Sequence, residues 1–312
     1  MESTAFQRSI KSIIEIMPKT LKTCLWLIRL TATITLAVQI LQYINVIEWL
    51  SQYLNPIFNL IGLPGEASLA FVSGYFVNVY SAIAVMATLD LDIRAITILS
   101  AMILCSHNMI TETAVQKKTG SSAIRMVITR TASAFIIGFA LNYIMPESAT
   151  SVIIEKESIK LTFMEMLEQW FYSTLKLAAM MSVLIVALSI LQRLLSEFGV
   201  IKLLSKLLRP ILYLFGLPAK TSFLWIVANT LGLAYGAAVM IDEAESGKIT
   251  QKDIDLLNHH IGISHSNLED VILLASIGAM AWWLLLSRWA LSFLLVWELR
   301  LEMAIKKKFL PL

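Results

Sequence analysis

The sequence predicts an all-α polytopic membrane protein built from two inverted-topology repeats with broken, re-entrant helices. Three observations point there. The 312 residues are 57% hydrophobic and 15% charged, with mean hydropathy +0.74, whereas a soluble domain carries about a quarter charged residues. Long apolar runs occur at 23–46, interrupted only by Arg29, at 177–192 with no charge, and at 271–297 with only Arg288. The first and last match the ~20 residues that cross a ~30 Å hydrocarbon layer as a helix; the middle run reaches that length with its amphipathic flanks. Finally, the chain repeats itself. Thr20-Leu21-Lys22 recurs as Thr174-Leu175-Lys176, and Gly62-Leu63-Pro64 as Gly216-Leu217-Pro218. Farther along, Ser106-His107 recurs as Ser264-His265, Gly120 as Gly278, Arg130 as Arg288 and Phe135 as Phe293. The register slips once, within the polar stretch Asp242–Asp253, where a loop insertion is tolerated.

The chain divides into an N-terminal amphipathic segment (1–19), a first repeat (20–146), an external linker and helix start (147–173), a second repeat (174–304) and a basic cytoplasmic tail (305–312). Each repeat opens with a long spanning helix, 21–45 and 163–192. An amphipathic helix follows, 47–61 and 199–215; Lys202, Lys206 and Arg209 share one face of the second, as suits an interfacial helix beside anionic lipid. Two interrupted segments come next, 66–90 and 93–118, then 220–243 and 250–275. A closing helix ends each unit, 123–146 and 277–300. An odd number of crossings requires one interrupted segment to cross and the other to re-enter. Residues 1–22 are basic and amphipathic with no small-residue cleavage site after the first apolar run, so that run is expected to be retained.

Charge sets the orientation. Arg8, Lys11, Lys19 and Lys22 precede the first long helix, and 45–64 hold no Lys or Arg. In the second repeat the bias reverses, with Arg193, Lys202, Lys206 and Arg209 after the long helix and Lys306-Lys307-Lys308 near the end. Lys and Arg favour cytoplasmic loops, so the repeats are inverted with both termini cytoplasmic. The net charge of +3 comes with no basic patch interleaved with aromatics, which excludes a nucleic-acid partner. Cys24 and Cys105 lie in apolar segments as small buried hydrophobes rather than a disulfide.

The polar residues of the interrupted segments mark the candidate site. Gly74, Asn78 and Ser81 break one segment; Asn229, Gly232 and Gly236 break its counterpart. Paired interruptions of this kind point to a transporter's binding site. A histidine with an acid five residues on occurs in both copies, as His107/Glu112 and His265/Asp270. Ionisable groups in lipid are costly and face a cavity or a partner. The expected substrate-binding set is Glu66, Asn78, Ser106, His107, Asn108, Glu112, Asn229, Ser264, His265, Asn267, Glu269 and Asp270. It reads either as a polar lining for a solute or protons, or as a hydrogen-bonded knot pinning two broken helices. Arg130, Arg288 and Lys220 are assigned structural roles, with an ion pair expected between Glu66 and Lys220. His259, His260, His265 and Asp255 match no closed zinc motif, so neither a metal site nor a cofactor is expected. Ser106 and His107 are sequence neighbours that do not face each other on a helix, and no catalytic residues are assigned.

The run Gly62-Leu63-Pro64-Gly65-Glu66-Ala67, then Gly74, then Ser106-His107 with Glu112 and Gly120, resembles the nucleoside-recognition or Gate domain. That domain occurs in spore maturation proteins A and B and in the membrane part of ferrous-iron transporter B. The resemblance covers both repeats and implies paired re-entrant elements with a transport or gating role. The second copy lacks the Gly-Glu after Gly-Leu-Pro, and no phosphate-binding G-x-x-x-x-G-K-[ST] loop exists. The expectation is a non-enzymatic permease for a small solute or ion in a bacterial inner membrane. Its partners are the lipid bilayer and that solute, and a homo-oligomer is compatible with the sequence. The alternative is a non-transporting scaffold or assembly partner.

Overall fold

The computed structural model describes residues 5–147, 162–232, 240 and 249–309. Most of the linker (148–161), Gly236 and the slip region 241–248 lie outside the described residues. Among the described residues every regular element is helical. The first copy comprises α1 (Ala5–Tyr43), α2 (Val46–Asn59), α3 (Ala67–Phe76), α4 (Val79–Met86), α5 (Ile93–Ser106), α6 (Met109–Lys118) and α7 (Ala123–Ile144). The second comprises α8 (Phe163–Glu197), α9 (Val200–Leu207), α10 (Arg209–Leu214), a 3-10 turn at Ala219–Thr221, α11 (Ser222–Leu231), α12 (Gln251–Ser264), α13 (Glu269–Ser276) and α14 (Ala281–Phe309).

Glycines punctuate both copies alike. After α2, Gly62 adopts φ 73°, Gly62 N–H donates to Asn59 O and Leu63 N–H to Phe58 O. After α10, Gly216 adopts φ 73°, donating to Tyr213 O while Leu217 N–H reaches Leu212 O. Gly120 (φ 108°) and Gly278 (φ 111°) close α6 and α13 with the same paired bonds. These are Schellman closures, which satisfy carbonyls that a helix end leaves without partners and favour glycine at the left-handed position. They also bear on two expectations. Gly278 separates α13 from α14 near the boundary read between 250–275 and 277–300, so the apolar run 271–297 is not one helix. The helix expected over 199–215 is two pieces, with Pro210 in the first turn of α10, where its missing N–H costs nothing. α1 runs unbroken from Ala5 through Pro18.

The opening helices α1 and α8 pack antiparallel. Thr35 Oγ1 lies 3.1 Å from Thr174 Oγ1 and accepts Trp170 Nε1–H at 2.9 Å, Cys24 Sγ meets Ser182 O at 3.9 Å, and Glu15 pairs with Arg193 at 2.8 Å. One core gathers around α3, α4 and α5; a second gathers around α10, α11 and α12. The outer faces stay apolar. On α7, Ile124, Ile128, Ile136, Phe139 and Tyr143 are exposed, and α14 exposes Trp282, Leu286, Leu294, Trp297 and Leu301 at the matching positions. Such stripes suit lipid rather than water. By length and composition, Ile93–Lys118, Ala123–Ile144 and Phe163–Glu197 suffice to cross a membrane. On α9, Ile201 and Ser205 are buried while Lys202 and Lys206 face outward.

Candidate functional site

Two helix breaks build the centre. α5 ends at Ser106; His107 is extended and Asn108 turns left-handed at φ 48° before α6 begins. α12 ends at Ser264; His265 is extended and Ser266 turns left-handed at φ 52°. Each turn is tied to its neighbouring interrupted helix: Asn108 N–H donates to Gly74 O at 2.9 Å, and Ser266 N–H to Ala228 O at 3.1 Å. A helix that stops inside a protein leaves its last carbonyls unsatisfied. Here a fully buried guanidinium from the closing helix fills that need. Arg130 donates through Nε to Cys105 O (3.1 Å) and through Nη2 to His107 O (2.8 Å). Arg288 Nη1 donates to Ile263 O (3.3 Å) and His265 O (3.1 Å). A cation at the negative end of a helix dipole is also favoured electrostatically.

The two breaks meet face to face. The rings of His107 and His265 lie 4.9 Å apart at 33°. Glu112 Oε1 is 3.2 Å from His107 Nε2 and 3.1 Å from His265 Nε2, and Asp270 Oδ2 is 3.5 Å from His107 Nε2. The acid of each copy therefore touches the histidine of the other. All four residues are buried. The arginines differ in their last contact. Arg130 Nη2 reaches Glu112 Oε2 at 2.7 Å, whereas Arg288 Nη2 donates to Asn267 Oδ1. Met109 stands where the second copy has Asn267, so the first copy has no amide to offer and its arginine turns to the carboxylate.

A cavity of about 270 Å³ opens beside this cluster, lined by Asn78, Tyr80, His107, Asn108, Glu112, Glu269 and Asp270 among others. Asn78 also caps α4, its Oδ1 accepting Ser81 N–H at 2.9 Å. Tyr80 O–H donates to Glu269 Oε1 at 2.6 Å, joining the first copy to the second. Asn229 and Asn267 sit one layer out, bonded to each other and, through Asn267, to Arg288. A larger cleft of about 450 Å³ lies between α1 and α8 around Glu15, Lys19 and Arg193; it holds none of the expected residues.

Other expected residues lie elsewhere. Ser106 and Ser264 turn their hydroxyls back to Met102 O and His260 O. Glu66 stands at the start of α3 and does not join the cluster. The expected Glu66–Lys220 pair is replaced: Lys220 pairs with Asp253, the first-turn acid of the capping box that opens α12. Burial alone would push the Asp253 carboxyl up, but the Lys220 ammonium and the Thr250 donors hold it below the usual range. Of the set His259, His260, His265 and Asp255, His259 and Asp255 meet, Nδ1 to Oδ1 at 3.4 Å, while His265 joins the central cluster. His260 Nδ1 accepts Trp225 Nε1–H at 3.2 Å, while His259 Nδ1 faces Asp255 O at 2.8 Å. Sequence reasoning missed Tyr80, whose position in an apolar run carries no signal, and Gln192, which donates to Thr230 O at 2.8 Å.

A family model described as nucleoside recognition (Gate) matches residues 24–146. The chain is 30% identical over 266 residues to the "Uncharacterized membrane protein YvoD" of Bacillus subtilis (strain 168), covering 84% of this chain and 85% of that protein. No solved structure matches.

Proposed function

We propose, for a chain that belongs to the nucleoside-recognition (Gate) family of membrane proteins, that the facing helix breaks form the binding centre of a permease for a small solute or ion. One observation carries this reading. Four ionisable side chains are buried where two broken helices meet, beside a cavity of about 270 Å³. Charges at membrane depth are costly, and broken helices persist there where a polar site uses them. The antiparallel packing of α1 on α8 and the opposed charge biases favour inverted copies, with one interrupted segment of each copy re-entering. Both termini are then cytoplasmic, in a bacterial inner membrane.

The test is flux. Purified chain reconstituted in vesicles is offered nucleosides, inorganic ions and small metabolites under proton and sodium gradients. Uptake that disappears in His265→Gln and Asp270→Asn, both still monodisperse, supports the reading. Wild-type protein that moves nothing across that panel sinks it. A scaffold or assembly role is the second reading, favoured by Arg130 and Arg288, whose bonds pin the breaks. It expects His107→Gln and His265→Gln to lose folding or partner binding together.

A further inference from the structure

The histidine tautomers constrain what fills the centre. His107 Nδ1 lies 3.2 Å from Ile103 O, and His265 Nδ1 lies 2.7 Å from Ile261 O. A carbonyl can only accept, so each Nδ1 carries the hydrogen and each Nε2 of a neutral ring presents a lone pair. Both Nε2 atoms face Glu112 Oε1, at 3.2 and 3.1 Å, and an ionised carboxylate also only accepts. Three lone pairs thus converge in a buried space, where a proton or a metal cation relieves their repulsion. Protons on both rings would set two imidazolium ions face to face, 4.9 Å apart and next to Arg130. A single proton leaves one ring's lone pair facing the carboxylate, whereas a metal cation meets all three donors at once.

We propose that His107, His265 and Glu112 form a site for one divalent transition-metal ion of the borderline, zinc-like class, with Asp270 beside it, its Oδ2 3.5 Å from His107 Nε2. The inference rests on reading this cluster as the binding centre. The three donor groups lie within 4.8 Å of one another. Tetrahedral bonds of about 2.0–2.1 Å place neighbouring donors about 3.3 Å apart, and Glu112 Oε1 lies 3.1 and 3.2 Å from the two imidazole nitrogens. The surroundings also suit a metal. Ligating imidazoles donate their other N–H to a carbonyl, as both do here. Arg130 forms an ion pair with Oε2 of Glu112 at 2.7 Å and leaves Oε1 to the centre. Two imidazoles and a carboxylate select borderline ions over magnesium or calcium, which take oxygen sets.

The experiment uses full-length protein in nanodiscs, stripped with a chelator. Zn²⁺ is titrated against a chromophoric competitor, and Co²⁺ is followed by visible absorption. About one equivalent per chain and the intense absorption of tetrahedral cobalt are expected. His265→Gln and Glu112→Gln should weaken Zn²⁺ binding more than roughly 100-fold, the upper end of what loss of an outer partner costs. His259→Gln should bind as wild type does. Monodisperse wild-type protein that retains no Zn²⁺ and leaves the Co²⁺ spectrum unchanged overturns the proposal, as does wild-type affinity in folded His265→Gln. Metal binding without flux keeps this site and removes the permease reading. Flux by protein that binds no metal does the reverse.

Discussion

At the scale of single residues, the buried arginines make the sharpest prediction. Arg130 satisfies two end carbonyls of the α5 break and the Glu112 carboxylate at 2.7 Å. Arg130→Met leaves that carboxylate buried without its guanidinium and should cost about 3–5 kcal/mol, read as a lower unfolding midpoint in detergent. Glu112→Gln should restore part of that loss, with a coupling above about 1 kcal/mol, and restore nothing in Arg288→Met. Equal rescue of both would contradict the contacts. Lys220–Asp253 offers a second test. The folded Asp253 carboxyl is lowered, so its contribution is present above the unfolded value of about 3.9 and fades as pH falls through the folded value. The difference in unfolding midpoint between wild type and Asp253→Asn should therefore be flat from about pH 5 to about pH 8 and shrink below about pH 4. His107, Glu112, His265 and Asp270 were legible because a His–acid spacing recurs. Their crosswise pairing was not, since it depends on two breaks 158 residues apart meeting in space. Nor was Lys220–Asp253, which joins the 3-10 turn to the start of α12 across the register slip.

At the scale of elements, the glycine closures can be separated into strain and contact. Gly278 (φ 111°) has open space, its nearest neighbour being Ile96 Cδ1 at 3.8 Å from an added Cβ. Gly120 (φ 108°) is crowded by the Gln251 amide, the movable end of a flexible side chain that also donates to Gly120 O. Both alanine substitutions should destabilise by about 1 kcal/mol or more through backbone strain. Gln251→Ala should relieve part of Gly120→Ala and none of Gly278→Ala. Additivity within about 0.3–0.5 kcal/mol in both backgrounds would show that contact contributes nothing. Gly-Leu-Pro and the later glycines made these boundaries readable from sequence. The split between α9 and α10 was not, because Pro56 stands inside unbroken α2 at the place equivalent to Pro210. Proline alone therefore gave no rule.

At the scale of the whole molecule, Arg130 and Arg288, 158 residues apart, do equivalent work, each donating to carbonyls at a helix break. The orientation of the two copies across lipid is a matter for labelling. In a background where Cys24 and Cys105 are replaced by alanine, Glu147→Cys should react with a membrane-impermeant maleimide in intact cells. Arg8→Cys and Lys308→Cys should react only after permeabilisation. Equal reactivity of all three positions in intact cells would contradict inverted copies. The unlike partners of the two arginines also bear on the order of synthesis. A ribosome completes the first copy before the second exists, and domains form N-terminal first. Arg130 and Glu112 neutralise each other within that first copy, so it can settle in the bilayer with its carboxylate already matched. Asp270, by contrast, finds its histidine only in the earlier half. The nascent second half thus carries an acid that lipid disfavours until it docks, and the half already in place supplies the template that receives it.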